Sequence, residues 1–154
     1  ELGNTKNFIE SLKKNFKNVT FEASRLEDII SGSGISKIYE TLTHEKLSAE
    51  EIFKKFLDKE PDALLVINGF IKSLSQTLSD LALSFLPGKG ILLAGSLSRS
   101  IYTHFNEQNF FKPFINNNTG MHFDILKNTP IGVITKERTP LYGNLSFYKN
   151  LNKI

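Results

Sequence analysis

A chain of 154 residues with 40% hydrophobic and 23% charged content can bury one real core and lies far from the polar, charge-rich composition of disordered segments. Nineteen Lys and Arg against 16 Asp and Glu give +3, scattered except at Lys13, Lys14 and Lys17, so the basic, aromatic-laced face of a nucleic-acid binder is missing. With no cysteine, disulfides, thiolate metal sites and cysteine nucleophiles are excluded.

Phe8, Ile9, Leu12 and Phe16 recur at helical spacing between lysines and predict an amphipathic helix from about Asn4 to Phe16. Val19-Thr20-Phe21 reads as a short β-type run. After Ser31-Gly32-Ser33-Gly34 a helix is expected to carry Ile35, Ile38, Tyr39 and Leu42, with a serine available as its cap. Ser48 with Glu51 three residues on forms a capping box ahead of Ile52, Phe53, Phe56 and Leu57.

From Asp62 the apolar positions Leu64, Ile67, Ile71, Leu74, Leu78, Leu81 and Phe85 follow at three and four residues, a long helix stopped by Pro87-Gly88. Gly90-Ile91-Leu92-Leu93-Ala94-Gly95 is a continuous apolar run between glycines and reads as a strand buried on both faces of a parallel or mixed sheet. Ile101 to Phe105 and Asn109 to Phe114 suggest two short helices, Asn116 to Gly120 a polar turn, and Ile131 to Thr135 a second strand; a last helix runs from about Leu141. The expectation is one α/β domain over residues 1–154, with no internal repeat and no low-complexity tract beyond Asn116 to Asn118.

No apolar run approaches the roughly 20 residues of a membrane span. The start, Glu1-Leu2-Gly3-Asn4, has neither the basic nor the apolar region of a signal peptide. The chain therefore reads as cytoplasmic, and its start without Met suggests a processed or excised segment. His44, His104 and His122 are far apart and lack metal-ligand pairing, and there is no GxSxG elbow, Walker A lysine motif or GxGxxG. Two glycine features stand out. Ser31 to Gly34, and Ala94-Gly95-Ser96 at a strand end, each place bare backbone N–H groups at a helix start, where they either hold a phosphate or hydroxyl or simply make a tight turn.

Three blocks, in order and spacing, resemble the C-terminal portion of the bacterial glucokinases. Leu26-Glu27-Asp28-Ile29-Ile30-Ser31-Gly32-Ser33-Gly34-Ile35, then Ile38-Tyr39, is similar to the family's glutamate, three residues, Ser-Gly-x-Gly-Leu and a helix with Leu-Tyr. Asp80-Leu81-Ala82-Leu83 through Gly90-Ile91-Leu92-Leu93-Ala94-Gly95-Ser96-Leu97 resembles its Asn-Leu-Ala-Leu, glycine turn and Ile-Ala-Gly-Gly-Ile strand end. Thr129-Pro130-Ile131-Gly132-Val133-Ile134 with Pro140-Leu141-Tyr142-Gly143 resembles the final Ile-Pro-Val strand and the last helix start.

The resemblance implies the C-terminal part of an actin-like (ribonuclease H-like) sugar kinase lobe, helix-rich with a short mixed sheet. In the full-length enzyme it implies phosphorylation of glucose to glucose 6-phosphate by ATP with Mg²⁺. It gives Glu27 the role of accepting sugar hydroxyls, a task that suits an acceptor-only carboxylate; Glu22 competes for that place. Gly95 and Ser96 would lie against the nucleotide, with Ser31, Gly32 and Gly34 shaping the turn between the two ligands. Departures from the family pattern are Ser96 where a second glycine is usual, Asn144 and Leu145 after Gly143, and Arg99 one residue past an expected proline.

The family's Gly-Gly-Thr segment, its Asn-Asp pair bearing the catalytic base and its Glu-x-x-His motif do not occur in these residues, so no catalytic residue is expected in this segment. The implied partners are glucose, ATP and the missing N-terminal part of the same protein, with a homodimer covering any open sheet edge. The alternative is a non-catalytic sugar-sensing or structural module of the same superfamily.

Overall fold

In a computed structural model, which describes residues 2–17, 19–115 and 119–151, the chain forms helices α1 (Leu2–Lys13), α2 (Gly32–Thr43), α3 (Ala49–Leu57) and α4 (Pro61–Phe85) before its first strand, β1 (Ile91–Leu93). Then follow α5 (Ser96–Ile101), α6 (Lys112–Ile115), α7 (Gly120–Lys127), strand β2 (Ile131–Val133) and α8 (Thr139–Leu151). Single 3₁₀ turns, Lys14–Phe16 and Leu26–Asp28, close α1 and precede α2, and a π-helical turn, Glu107–Phe111, leads into α6.

The local chemistry fixes where the longer helices begin. Ser48 Oγ accepts the Glu51 N–H at 3.3 Å while the Glu51 carboxylate accepts the Ser48 N–H at 2.8 Å and its hydroxyl at 2.7 Å, the capping box read from the sequence. Those bonds from Ser48 hold the Glu51 carboxyl below its ordinary range. For α4 the Glu60 carboxylate accepts the N–H groups of Asp62 and Ala63, and Pro61 occupies the first helical position, where its missing N–H costs nothing. Its 25 residues end with Leu86 in a left-handed conformation just before Pro87.

Helix α4 is the axis on which the others are assembled; α1, α2, α3, α6 and α7 all pack against it. Val66, Ile67, Phe70 and Ile71 of α4 are buried with Leu12, Phe16, Ile35, Ile38, Tyr39, Ile52, Phe110 and Leu126 from its neighbours. Each such side chain contributes roughly 1.5–3 kcal/mol on burial, whereas a poor helix former costs at most about 0.7 kcal/mol. Packing therefore outweighs the unfavourable Ser73, Ser75, Thr77 and Ser79 in the second half of α4. Three of these buried hydroxyls are satisfied: Ser73 donates to the Gly69 carbonyl, Thr77 to the Ser73 carbonyl and Ser75 across to the Phe110 carbonyl at 2.5 Å.

β1 and β2 pair in parallel, Ile91 with Ile131 and Leu93 with Val133, giving a helix-rich α/β arrangement. The sheet is thus parallel among the described residues, one of the two arrangements, parallel or mixed, read from the apolar run, and not the mixed sheet that the resemblance implies. β1 is also not buried on both faces. Leu93 points into the core at 9% exposure, but Leu92 is 71% exposed and lies across Gly132 on a face that no described element covers. A second correction concerns Val19-Thr20-Phe21, which forms no strand: β-branched residues need a paired neighbour, and here Phe21 is instead buried edge-on against Phe16 at 5.4 Å.

The two short helices near Ile101 and Asn109 are present, each mixed with a 3₁₀ or π turn. Helix α7 has no counterpart in the sequence reading, and α8 starts two residues earlier than expected. The Asn116 to Asn118 part of the polar turn lies outside the described residues. Among the described residues no helix is long and apolar enough to cross a membrane.

Candidate functional site

Ser31 caps α2: its hydroxyl accepts the Gly34 N–H at 2.9 Å and donates to the Glu27 carbonyl at 2.6 Å, with Ser33 Oγ a further 2.8 Å neighbour. The turn before it is held from below by Asp28, whose carboxylate accepts the N–H groups of Ser24 and Arg25 at 2.9 and 3.0 Å. Those two backbone bonds, helped by the Arg25 charge, hold the Asp28 carboxyl below the usual carboxylate range. Glu27 rides on this 3₁₀ turn with its side chain exposed and without an ion pair among the described residues. A Cβ on Gly34 would lie 2.7 Å from the Asp28 carbonyl oxygen, so this glycine lets α2 close down on the Glu27-bearing turn.

The strand-end turn has a different requirement. Gly95 adopts φ 116°, ψ 163°, a region open essentially to glycine alone, and a Cβ there would meet nothing within 4 Å. The need is conformational: the chain reverses from β1 into α5 with Ser96 as its first residue, and Gly95 and Ser96 are both exposed.

The helix starts that these turns set, at Gly32 and Ser96, line one cavity. It has a volume of about 330 Å³ and is lined by Gly32 from the start of α2, by Ala49, Glu50, Phe53 and Lys54 from α3, and by Ser96, Leu97 and Ser100 from α5. The first turns of three helices therefore meet at one cleft, with the Lys54 side chain beside them. Helix starts present N–H groups and the positive end of the helix dipole, and an ammonium adds to the same field, so the cleft favours an anionic group. Glu50 is the opposing charge and restricts where such a group can sit.

A family model described as Glucokinase matches residues 4–151, nearly the whole chain. The chain belongs to the glucokinase family. A protein named glucokinase from Mesorhizobium japonicum is 27% identical over 131 residues, a match that covers 80% of this chain and 38% of that relative's length. This glucokinase-family chain thus spans well under half the length of that relative.

Of the residues singled out from the sequence, Gly32 and Ser96 line the cleft, Gly95 makes the turn that presents Ser96, and Ser31 caps the helix that presents Gly32. Gly34 is buried beneath that turn, and Glu27 and Glu22 are exposed outside the cleft lining. Glu50, Lys54 and Ser100 went unrecognised. A signal existed for the first two: Glu50, Phe53 and Lys54 at three and four residues share one face of α3, but only the fold shows that this face looks at α5. Among the described residues no group of three or more His, Asp or Glu could hold a metal ion by itself.

Proposed function

We propose that this chain is the C-terminal portion of the larger lobe of an actin-like, ATP-dependent glucose kinase, contributing part of the sugar and nucleotide sites to the full-length enzyme. The observation that carries the reading is the shared cleft: Gly32 at the start of α2 and Ser96 at the start of α5, remote in sequence, both line it. Family membership supports the chemistry, since the name glucokinase describes transfer of a phosphoryl group to glucose.

In this reading the nucleotide phosphates lie against the starts of α2 and α5, with Gly95 leaving room for close approach and Ser96 and Lys54 donating to anionic oxygens. The cleft suits such a group in charge and polarity. Mg²⁺ would arrive with the phosphates and neutralise their charge, consistent with its habit of binding through few protein carboxylates. Glu27 accepts two hydroxyls of glucose, and its turn is rigidly tied to α2 through Ser31. The base that takes the proton from the 6-hydroxyl and most of the phosphate cradle belong to the N-terminal portion. Transfer then depends on the two portions closing over both substrates and excluding water.

The test is Glu27→Gln in the full-length protein, assayed for ATP-dependent glucose phosphorylation. Loss of a charge-assisted acceptor should raise KM for glucose by about tenfold to a hundredfold, while the exposed position leaves stability unaltered. An unchanged KM would remove Glu27 from the sugar site. Absence of any phosphorylation by the unmodified full-length protein would remove the kinase reading.

A further inference from the structure

A second cavity, larger than the cleft above and sharing no residue with it, lies where the end of α1 meets the first half of α4. Its volume is about 480 Å³, within the range of small-molecule sites. Pro61, Leu64, Leu65 and Gly69 supply an apolar wall, and the other lining side chains are amide and ammonium: no Asp or Glu lines it.

The charge of its lining is positive. Lys17 and half-buried Lys72 both line it, and neither forms an ion pair among the described residues, whereas Lys13 and Lys55 pair with Glu10 and Glu45. Lys17 is exposed and the stem of Lys72 is half-buried, so both ammonium groups can meet an anion that enters the cavity.

The walls around these lysines are fixed. Asn109 Nδ2 donates to Asn68 Oδ1 at 3.1 Å and to the His104 carbonyl at 3.0 Å, and its own Oδ1 accepts the Asn106 N–H at 2.9 Å. Asn109 is buried, so this network holds the rim in one geometry. Opposite it, Asn15 Nδ2 donates to Ser73 Oγ and to Gln76 Oε1, which leaves Asn15 Oδ1 as an acceptor with no donor among the described residues. The Gln108 side chain likewise makes no hydrogen bond within the described fold.

We propose that this cavity binds a small phosphorylated, hydroxyl-bearing metabolite. Lys17 and Lys72 take the phosphate, whose charge of about −1.5 to −2 near neutral pH matches two ammonium groups without an acid. Asn15 and Gln108 take hydroxyls, and the Leu64 and Leu65 wall takes the carbon skeleton. The site is independent of the nucleotide cleft, which has its own lysine.

The experiment follows backbone amide shifts of the full-length protein as inorganic phosphate is added, with acetate at matched ionic strength as the second arm. Saturable shifts at Lys17, Lys72 and Gln108 with phosphate, and none that saturate with acetate, are expected. Lys17→Gln and Lys72→Gln should each weaken phosphate binding here about tenfold, and Lys54→Gln should leave it unchanged. The proposal is overturned if shifts at these residues do not saturate, if acetate binds as tightly as phosphate, or if the Lys54 variant alone abolishes the effect. Retention of full affinity by both Lys17→Gln and Lys72→Gln would overturn it equally.

Discussion

The hydroxyl of Ser31 bonds to the backbone carbonyl of Glu27 at 2.6 Å and, on its other side, to the Gly34 N–H at 2.9 Å. One side chain thereby fastens the turn that carries the candidate sugar ligand to the helix whose start lines the candidate nucleotide cleft. Ser31→Ala breaks both links. Loss of a serine cap costs about 1 kcal/mol, so a modest drop in urea midpoint is expected. Because the Glu27 turn is released at the same time, KM for glucose in the full-length enzyme should rise while KM for ATP moves less. Equal changes in both constants would show that the cap serves stability only.

Asp28 makes the same turn sensitive to acid. Its carboxyl is lowered by the Ser24 and Arg25 N–H bonds, so the folded protein binds that proton less readily than the unfolded chain. The sign follows: this contribution to stability is complete above the ordinary aspartate range and is lost as pH falls through the lower, folded value. Asp28→Asn keeps an acceptor oxygen but cannot titrate. Urea midpoints measured between about pH 6 and pH 2 should fall less steeply for the variant than for the unmodified protein; parallel curves would show that Asp28 contributes nothing to acid unfolding.

Tyr39 supplies a third prediction. Its ring is 1% exposed and its hydroxyl accepts from Lys55 Nζ at 3.0 Å, while the same ammonium reaches the Glu45 carboxylate at 2.6 Å. Those two bonds, that to Glu45 foremost, raise the Lys55 ammonium above its ordinary pKa. Tyr39→Phe keeps the packing of α2 on the core and removes one acceptor, and Lys55 retains its partly exposed partner Glu45. The loss should be about 0.5–1.5 kcal/mol, against about 3–5 kcal/mol for Tyr39→Ala, taken as an aromatic core deletion. Similar losses for the two variants, measured by urea unfolding, would contradict the burial of the ring.

Periodic segments were readable before the fold because burial on one side of a helix leaves its mark at every third or fourth residue. The long helix ending at Phe85 and the Ser48 to Glu51 capping box both appear as read, although the last two positions of its apolar stripe, Leu81 and Phe85, are exposed. Pairing and exposure were less readable. Val19-Thr20-Phe21 has strand-forming residues but no neighbour to pair with, and the apolar run through Leu92 resembles a central strand although only Leu93 turns inward. Helix α7 escaped notice because its eight residues begin at a glycine and hold one fully buried side chain, Leu126. At the cleft, the turns at Gly32 and Gly95 were visible as glycines before helices. That Lys54 of α3 and Ser96 of α5 line one cleft is a long-range product of the fold that leaves no local signal.

Gly32, which lines the cleft, and Gly95, which makes the turn presenting Ser96 to it, should respond oppositely to the same substitution. Gly95→Ala forces a side chain into a backbone region reserved for glycine, at a cost of about 1–3 kcal/mol, even though the new methyl would meet open space. Gly32→Ala places a methyl 3.6 Å from the Ala49 Cβ, an ordinary contact, inside the first turn of a helix where alanine is at least as favourable. Its stability should therefore match or slightly exceed that of the unmodified protein. The methyl also narrows the cleft where α2 begins, so nucleotide affinity of the full-length enzyme should fall with the fold intact. Measuring urea midpoint and ATP affinity side by side separates the two: Gly95→Ala loses stability, and Gly32→Ala loses affinity alone. A Gly32→Ala protein that binds ATP normally would place the nucleotide away from the start of α2, and a Gly95→Ala protein of normal stability would mean that the chain leaves β1 by another path.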